Sequence, residues 1–220
     1  GCARGARPVD VHLTALRLMG ARIETVRGYE EASADGLKGA HIILEKPSVG
    51  ATENLLMAAS LARGSTRLEN AAREPEVVDL ARALQKMGAN ISGAGSSVVE
   101  IEGVERLGGM THRVIPDRIE AGTFLIAAAM TRGEVTVKGA RAEDLREHVT
   151  ALESAGAVLR DNGDGMTARC DKRPSAVSVA TAPHPGFATD LQAQFMALMC
   201  LADGEAIVTE NIFENRFMHV

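Results

Sequence analysis

Three short segments of the chain carry side chains that could bind an anion and move a proton. The first is Gly-Cys-Ala-Arg-Gly-Ala-Arg-Pro at residues 1–8, where a cysteine and two arginines share a glycine-rich run. Cationic neighbours favour the thiolate form of a cysteine, so Cys2 could be reactive. Arg7 directly precedes Pro8, which suits the first position of a helix, so a cation and open backbone N–H groups meet there. This segment suits an anionic ligand; the alternative is an unreactive terminal cysteine with solvated arginines.

The second segment lies between a predicted strand and a predicted helix. The strand His-Ile-Ile-Leu at 41–44 is followed by Glu-Lys-Pro-Ser-Val-Gly-Ala-Thr at 45–52. Lys46 and Ser48 at such a turn could hold a phosphate by charge and by hydrogen bond. The segment lacks the Gly-x4-Gly-Lys frame of a Walker loop. The simpler interpretation is that Ser48 or Thr52 is an ordinary helix N-cap.

The third segment is Thr-Ala-Pro-His-Pro-Gly-Phe-Ala-Thr-Asp-Leu-Gln-Ala-Gln-Phe at residues 181–195. Its two prolines and its glycine predict an extended loop, and Thr189 and Asp190 open the next helix. A carboxylate at that position is commonly an N-cap, but beside a sugar hydroxyl it could act as a general base. The six histidines of the chain show no metal-ligand spacing, so the sequence predicts no metal site.

A repeat of constant period sets the elements that must position these segments. Gly20, Gly88 and Gly156 each close a predicted helix and lie 68 residues apart each time. Each helix carries an apolar triplet at spacing i, i+4, i+7, which places the triplet on one helical face. The triplets are Val9/Leu13/Leu16, Val77/Ala81/Leu84 and Leu145/Val149/Leu152.

A second series of helices has nearly the same period and precedes a short strand in each copy. Two more strands follow each helix of the first series, joined by turns such as Asn162-Gly163. The unit is therefore α-β-α-β-β, cyclically ββαβα, and it predicts an α/β fold. The second-series helices are predicted at 53–63, 119–132 and 190–203, ending at Gly64, Gly133 and Gly204, with strands at 65–69, 134–138 and 205–209.

Composition excludes several classes of protein. The chain has 220 residues, of which 45% are hydrophobic and only 3% aromatic, so it can build a core of aliphatic side chains. No apolar run approaches the ~20 residues of a membrane span, and a net charge of -5 without basic blocks argues against nucleic-acid binding. The cysteines at 2, 170 and 200 form no disulfide or metal pattern, so we expect a reducing, cytoplasmic setting.

The repeat also indicates where its copies are interrupted. Arg216 begins a fourth copy, but only four residues follow it, and the first copy lacks its leading helix and strand. From this we expect an internal fragment of a longer protein that is inactive alone. The segment at 116–124 is the best candidate for a domain boundary, because it follows the polar, glycine-containing run at 107–113.

Six ordered segments together closely resemble one family, the UDP-N-acetylglucosamine 1-carboxyvinyltransferases among the enolpyruvyl transferases. The resemblance extends over essentially all 220 residues. It implies two similar domains, each an inside-out α/β barrel of three ββαβα-type units, with the site in the cleft between them. Residues 1–116 then complete the first domain, and residues 117–220 begin the second. The six segments lie at 1–10, 46–52, 70–76, 116–124, 181–195 and 213–220.

The resemblance also implies an activity. Members of the family transfer the enolpyruvyl group of phosphoenolpyruvate to the 3'-hydroxyl of UDP-N-acetylglucosamine and release phosphate, the first committed step of bacterial peptidoglycan synthesis. Both substrates are expected here, with no metal or organic cofactor and no nucleic-acid or membrane partner; protein partners are left open. Cys2 matches the proton donor that fosfomycin alkylates, and Asp190 matches the carboxylate facing the 3'-hydroxyl, the general base.

The remaining matched positions imply substrate binding. Arg7 matches an arginine that reaches phosphate groups, and Arg216 matches one in the phosphoenolpyruvate pocket; such cations stabilise a charged tetrahedral intermediate. Ile212 matches an apolar contact to the sugar. The matched runs are Pro8, Val9, Asp10 and Val11 for uridine, and Lys46, Pro47, Ser48 and Val49 for the diphosphate and sugar.

Some features of the sequence depart from the family pattern. The hairpin at 35–39 is one residue shorter, and an N-terminal Lys-Asn pair, a nucleotide-contacting Arg and two later arginines have no counterpart in this sequence.

The shikimate-pathway enolpyruvyl transferase shares the fold and the donor, but a loop cysteine beside Gly-Ala-Arg-Pro argues against it. A non-catalytic sugar-nucleotide-binding paralogue would share the same motifs. A solenoid-type interaction protein would fit the repeat but would leave the Cys, Arg, Lys and Asp motifs unexplained.

Overall fold

A computed structural model of the chain describes residues 9–220. The chain divides into two compact units, Gly1–Val114 and Ile115–Val220, and each unit has its own hydrophobic core. No helix among the described residues is both long enough and apolar enough to cross a membrane.

The first unit combines three helices with two sheets in its described part. A four-stranded sheet has the order β3-β4-β6-β5, in which β3 and β4 run parallel and the other pairs antiparallel; β1 and β2 form a separate hairpin. The elements are α1 (Asp10–Leu18), β1 (Arg22–Val26), β2 (Tyr29–Ser33), β3 (His41–Ile43), α2 (Val49–Ser60), β4 (Ser65–Glu69), α3 (Pro75–Lys86), β5 (Asn90–Ser92) and β6 (Val98–Glu102).

The second unit repeats much of this order. Its antiparallel sheet β7-β9-β8 corresponds to β4-β6-β5, and its parallel pair β10-β11 encloses a helix as β3 and β4 do. The elements are α4 (Arg118–Thr131), β7 (Glu134–Lys138), a 3₁₀ turn (Ala142–Asp144), α5 (Arg146–Ser154), β8 (Val158–Asp161), β9 (Gly165–Arg169), β10 (Val179–Ala180), a 3₁₀ turn (Thr189–Leu191), α6 (Gln192–Met199) and β11 (Val208–Thr209).

The glycine closures predicted from the repeat are confirmed. Gly20, Gly88 and Gly156 have φ of +96°, +103° and +99°, a region that L side chains rarely adopt. In each copy the glycine N–H bonds to the carbonyl three residues back, and the next N–H bonds to the carbonyl five residues back, at 2.9–3.0 Å. This pair of bonds is the Schellman motif, so α1, α3 and α5 end by the same local mechanism.

The core of each unit forms around one helix that is rich in buried apolar residues. In α2, Leu55 and Leu56 are buried, and in α4, Leu125 and Ile126 are buried. Gly122 in α4 allows a close approach, because a Cβ there would lie 2.5 Å from Leu191 Cδ1. The residue that follows Asp190 therefore packs directly against this helix.

Several predicted details are wrong. Val9 precedes α1 and is 50% exposed, so it does not share the buried face that Val77 and Leu145 occupy. Arg132, rather than Gly133, adopts the left-handed conformation that ends α4, with φ of +53°. The third copy is the least regular: the helix predicted at 190–203 is a 3₁₀ turn followed by α6, and the strand at 205–209 reduces to β11.

The α/β class is confirmed, whereas the barrel is not formed by the described residues. The four sheets of residues 9–220 have two to four strands each in linear orders. Closure of these layers into inside-out barrels, and the assignment of residues 1–116 and 117–220 to two barrel domains, remain predictions.

Candidate functional site

The first turns of α1 and α2 lie side by side in the first unit. The His12 Nδ1 atom is 2.7 Å from the Asn54 Nδ2 atom, and the ring of His12 also packs near Gly50. The predicted uridine residues Val9, Asp10 and Val11 lie at the start of α1. The predicted diphosphate residues Lys46, Pro47, Ser48 and Val49 lie at the start of α2.

Adjacent helix starts bring the N-terminal ends of two helix dipoles to one edge of the first unit. The initial backbone N–H groups of a helix have no partner within the helix, and the helix dipole is positive at that end. Exposed Lys46 lies three residues before the start of α2, and a cation beside helix starts suits a phosphate group. The described residues of the two predicted binding runs therefore lie at adjacent helix starts.

Ser48 is the N-cap of α2, which confirms the simpler interpretation of this residue. Its Oγ accepts the Ala51 N–H at 3.3 Å, and its backbone is extended. A hydroxyl has one proton and two lone pairs, so a capping Ser48 can still donate to a ligand. Thr52 is not the cap: it is fully buried, and its Oγ1 accepts the Ala72 N–H at 3.0 Å.

A loop after β4 holds the turn that precedes α2. Asn70, at φ of +58°, donates from Nδ2 to the Leu44 carbonyl at 2.9 Å. Beside this loop, partial burial raises the pKa of Glu53, and the nearby carboxylates of Glu76 and Glu74 raise it further. The start of α2 is thus braced by the loop, next to a group of acidic side chains.

Three predicted site residues of the first unit lie outside the described residues. They are Cys2, Arg7 and Pro8. Their predicted roles as proton donor and as phosphate and uridine contacts remain predictions.

The second unit brings Asp190 and Arg216 into contact. The Arg216 Nη2 donates to the Asp190 Oδ1, and its Nη1 donates to the Thr189 Oγ1 at 3.1 Å. The guanidinium also lies over the Phe213 ring, 5.3 Å from the centroid. The Arg216 side chain is 19% exposed and that of Asp190 is 53% exposed, so the carboxylate remains open to solvent. Half-buried Ile212 lies on the same loop.

The interpretation of Asp190 as a helix cap is wrong. The residues that precede the 3₁₀ turn and α6 are Ala188 and Leu191, and neither makes a side-chain cap. Asp190 lies inside the 3₁₀ turn, where its carboxylate pairs with Arg216 instead. This carboxylate therefore does not serve the helix end and is available for a chemical role.

Sequence reasoning missed Glu210, which links the parts of this site. Its carboxylate accepts hydrogen bonds from the Thr181 and Thr189 hydroxyls and from the Ile212 and Phe213 N–H groups. Partial burial favours a higher pKa for Glu210, but these four bonds outweigh it, the Ile212 N–H most strongly, and the pKa is lowered. The sequence feature that could have indicated this role is the position of the carboxylate, directly after the predicted strand.

His148 was also missed, and it holds the loop that leads to Asp190. Its Nε2 accepts the Ala188 N–H at 2.9 Å, and its ring packs on Phe187 with centroids 4.4 Å apart. Burial lowers the pKa of His148 to about 4, and the charges of Arg118 and His184 act in the same direction. The imidazole is therefore neutral, with its proton on Nδ1.

Other features of the described residues lie away from these groups. No cluster of three His, Cys, Asp or Glu side chains within residues 9–220 could hold a metal ion. Two hollows of about 300 and 500 Å³ lie on the sheets, beside Arg169 and Arg67 respectively, and none of the predicted site residues lines them.

The fold is that of an enolpyruvyl transferase. The chain belongs to the EPSP synthase (3-phosphoshikimate 1-carboxyvinyltransferase) family, whose sequence model matches residues 1–220. Among curated relatives, a UDP-N-acetylglucosamine 1-carboxyvinyltransferase from Shewanella amazonensis is 57% identical over 222 aligned residues. One of the same name from Geotalea daltonii is 54% identical over 220. The chain is covered completely in both comparisons but spans only 53% of each relative's length.

Solved structures support the fold independently. The enolpyruvyl transferase NikO from Streptomyces tendae matches with a TM-score of 0.86 at 24% identity, covering 96% of this chain and 53% of that one. EPSP synthase from Acinetobacter baumannii matches with a TM-score of 0.62 at 23% identity, covering 94% and 50%. The enolpyruvyl transferase fold and the resemblance noted from the sequence are both confirmed.

Proposed function

We propose that the full-length protein transfers the enolpyruvyl group of phosphoenolpyruvate to the 3'-hydroxyl of UDP-N-acetylglucosamine and releases phosphate. This reaction is the first committed step of peptidoglycan synthesis, and we place it in the cytoplasm. The observation that carries the proposal is the name shared by the 57% and 54% identical relatives, which match every part of this chain. Because the chain spans about half of those relatives, the activity is proposed for the full-length protein.

In this proposal the first unit binds the nucleotide. Val9, Asp10 and Val11 contact uridine together with Pro8, and Lys46 to Val49 contact the diphosphate and sugar. The adjacent starts of α1 and α2 support this role, because their backbone N–H groups and the Lys46 ammonium favour phosphate oxygens. Arg7 adds a further cation on the same chain segment.

The second unit supplies the base and a cation for the chemistry. Asp190 takes the proton from the 3'-hydroxyl as that oxygen attacks C2 of phosphoenolpyruvate, and Cys2 gives a proton to C3. Loss of a proton from the resulting methyl group and cleavage of the C2–O bond then release phosphate. Arg216 stabilises the charge of the tetrahedral intermediate, and Ile212 contacts the sugar. The half-exposed carboxylate of Asp190 supports its role, since a bound hydroxyl can reach a carboxylate that is open to solvent.

A phosphate-release assay with two acceptors tests the proposal. The full-length gene product is incubated with phosphoenolpyruvate and either UDP-N-acetylglucosamine or shikimate 3-phosphate. We expect phosphate only with the sugar nucleotide. Release only with shikimate 3-phosphate would establish the shikimate-pathway activity instead. That activity is the alternative because the matching family model is named after it. Binding of UDP-N-acetylglucosamine without phosphate release would indicate a non-catalytic paralogue.

A further inference from the structure

Glu210 lies where two parts of the second unit meet. It directly follows β11 and precedes the loop that carries Arg216. Its Oε1 accepts the Ile212 N–H at 2.8 Å and the Phe213 N–H at 3.1 Å, so it fixes the start of that loop. Its Oε2 accepts the Thr189 hydroxyl at 2.8 Å, next to Asp190 in sequence. One carboxylate therefore holds both the segment bearing the cation and the segment bearing the base.

The chemistry of Glu210 also fixes the direction of the Thr189 hydroxyl. An ionised carboxylate only accepts hydrogen bonds, so the single hydroxyl proton of Thr189 must be donated to Glu210. The lone pairs of Thr189 then face Arg216, whose Nη1 donates to the same oxygen at 3.1 Å. If an amide replaced the carboxylate, its NH₂ group could donate to Thr189 instead, and the hydroxyl proton would be free to rotate toward the guanidinium.

We propose that Glu210 is a positioning residue for Asp190 and Arg216, acting through the Thr189 hydroxyl and the Ile212 and Phe213 backbone. The inference rests on the proposed function for its catalytic consequence. The orientation of the guanidinium depends on two acceptors, the Asp190 carboxylate and the Thr189 hydroxyl, and Glu210 determines whether the second is available. Glu210 itself needs no contact with either substrate.

Steady-state kinetics of the full-length protein test this inference. We expect Glu210→Gln to lower kcat by roughly 10- to 100-fold, because the lost hydrogen bonds orient the segments that carry Asp190 and Arg216. KM for UDP-N-acetylglucosamine should stay within about threefold, because the proposed uridine and diphosphate contacts lie in the first unit. Thr189→Val should have a similar effect and Thr189→Ser a small one, since serine restores the hydroxyl. The double variant Glu210→Gln/Thr189→Val should be no slower than the slower single variant, because both changes break one chain of contacts. Glu205→Gln, an exposed glutamate on the same segment, is the matched control and should behave as wild type.

Hydrogen exchange on the same proteins supplies a readout that does not need turnover. In Glu210→Gln the amides of 211–213 and also those of 189–191 should exchange at least about tenfold faster, whereas Glu205→Gln should change neither. Faster exchange confined to 211–213, full kcat in Glu210→Gln, or multiplicative effects in the double variant would each overturn the positioning role. If the wild-type protein releases no phosphate, the proposed function fails, and the exchange at 189–191 still decides whether Glu210 orders that segment.

Discussion

The His12 Nδ1 atom lies 2.7 Å from the Asn54 amide nitrogen, and this contact joins the first turn of α1 to the second turn of α2. An amide NH₂ can only donate, so His12 accepts, and the two helices are held with their positive ends adjacent. In the proposed function, this contact would bring two sequence runs about 40 residues apart in the chain to one nucleotide.

Replacing Ser48 with Ala should weaken nucleotide binding and destabilise α2. The loss of the N-cap costs about 1 kcal/mol of stability, and the loss of a hydroxyl donor to phosphate should raise the Kd for UDP-N-acetylglucosamine by roughly tenfold. Isothermal titration calorimetry and thermal unfolding of the full-length protein measure both effects. Ser154→Ala at the exposed end of α5 is the control. An unchanged Kd in Ser48→Ala would remove Ser48 from the binding site.

Replacing Cys2 with Ser should abolish turnover and protect the protein from fosfomycin. The resemblance assigns Cys2 as the alkylated proton donor, and a serine hydroxyl is a far weaker acid and nucleophile than a thiol. Mass spectrometry of the full-length protein should show one adduct in wild type, on the peptide containing Cys2. Cys200→Ser is the matched control, because Cys200 is an exposed free cysteine. An adduct that persists in Cys2→Ser but disappears in Cys200→Ser would contradict the assignment.

Replacing Asp190 with Asn should lower kcat by roughly 10²- to 10⁴-fold, the usual contribution of a general base. Asparagine keeps the shape and can still accept from Arg216, so the loop should stay in place and KM should change little. Phosphate release under saturating substrates measures the effect. Asp164→Asn, an exposed carboxylate in the turn between β8 and β9, controls for the loss of one negative charge. A kcat equal to that of wild type would exclude Asp190 as the base.

The stability of the protein should fall at acid pH because of His148. Burial lowers the pKa of this imidazole from 6.5 to about 4, so the unfolded chain binds the proton first as the pH drops. The stability is therefore fully present above pH 6.5 and falls as the pH drops from 6.5 to about 4. The total loss of unfolding free energy over this range is about 3 kcal/mol. Urea unfolding at pH 7 and pH 5 measures it. His148→Gln is the comparison, because a glutamine oxygen can accept the Ala188 N–H without titrating; equal pH dependence in both proteins would contradict the prediction.

Replacing Gly122 with Ala should destabilise the second unit and lower kcat. The added Cβ would lie 2.5 Å from Leu191 Cδ1, a buried side chain with little room to move. Overpacking of this kind costs up to about 3 kcal/mol, against the roughly 1 kcal/mol that alanine gains in helix propensity. Leu191 is fully buried and adjoins Asp190, so its displacement should also move the proposed base. Thermal unfolding and kcat report both effects. Gly109→Ala, where no atom lies within 4 Å of the added Cβ, is the control.

Local sequence rules were sufficient for the repeat. The roles of Gly20, Gly88 and Gly156 could be predicted because a Schellman motif needs a left-handed residue and uses only hydrogen bonds within six residues. The strands at 65–69 and 134–138 were predicted to the residue, since they alternate and follow clear helix ends. The left-handed conformation of Arg132 was not predicted, because the glycine that follows it is the better candidate for φ above zero. The structure shows that α4 ends one residue earlier.

The parts of the site that depend on distant contacts could not be predicted. Glu210 takes its partners from segments 21 and 29 residues away, at Thr189 and Thr181. His148 accepts from Ala188, which is 40 residues away. Nothing in the local pattern distinguishes either residue from an ordinary surface glutamate or helix histidine. The resemblance to a family supplied Asp190 and Arg216, but the groups that hold them in place came only from the structure.

The three identical Schellman closures have a consequence for how such a chain can grow during evolution. A helix stop that uses only two hydrogen bonds within six residues needs no distant partner. A duplicated stretch of gene therefore carries its own helix stop with it. New copies can diverge on their surfaces while each still terminates its helix at the right place.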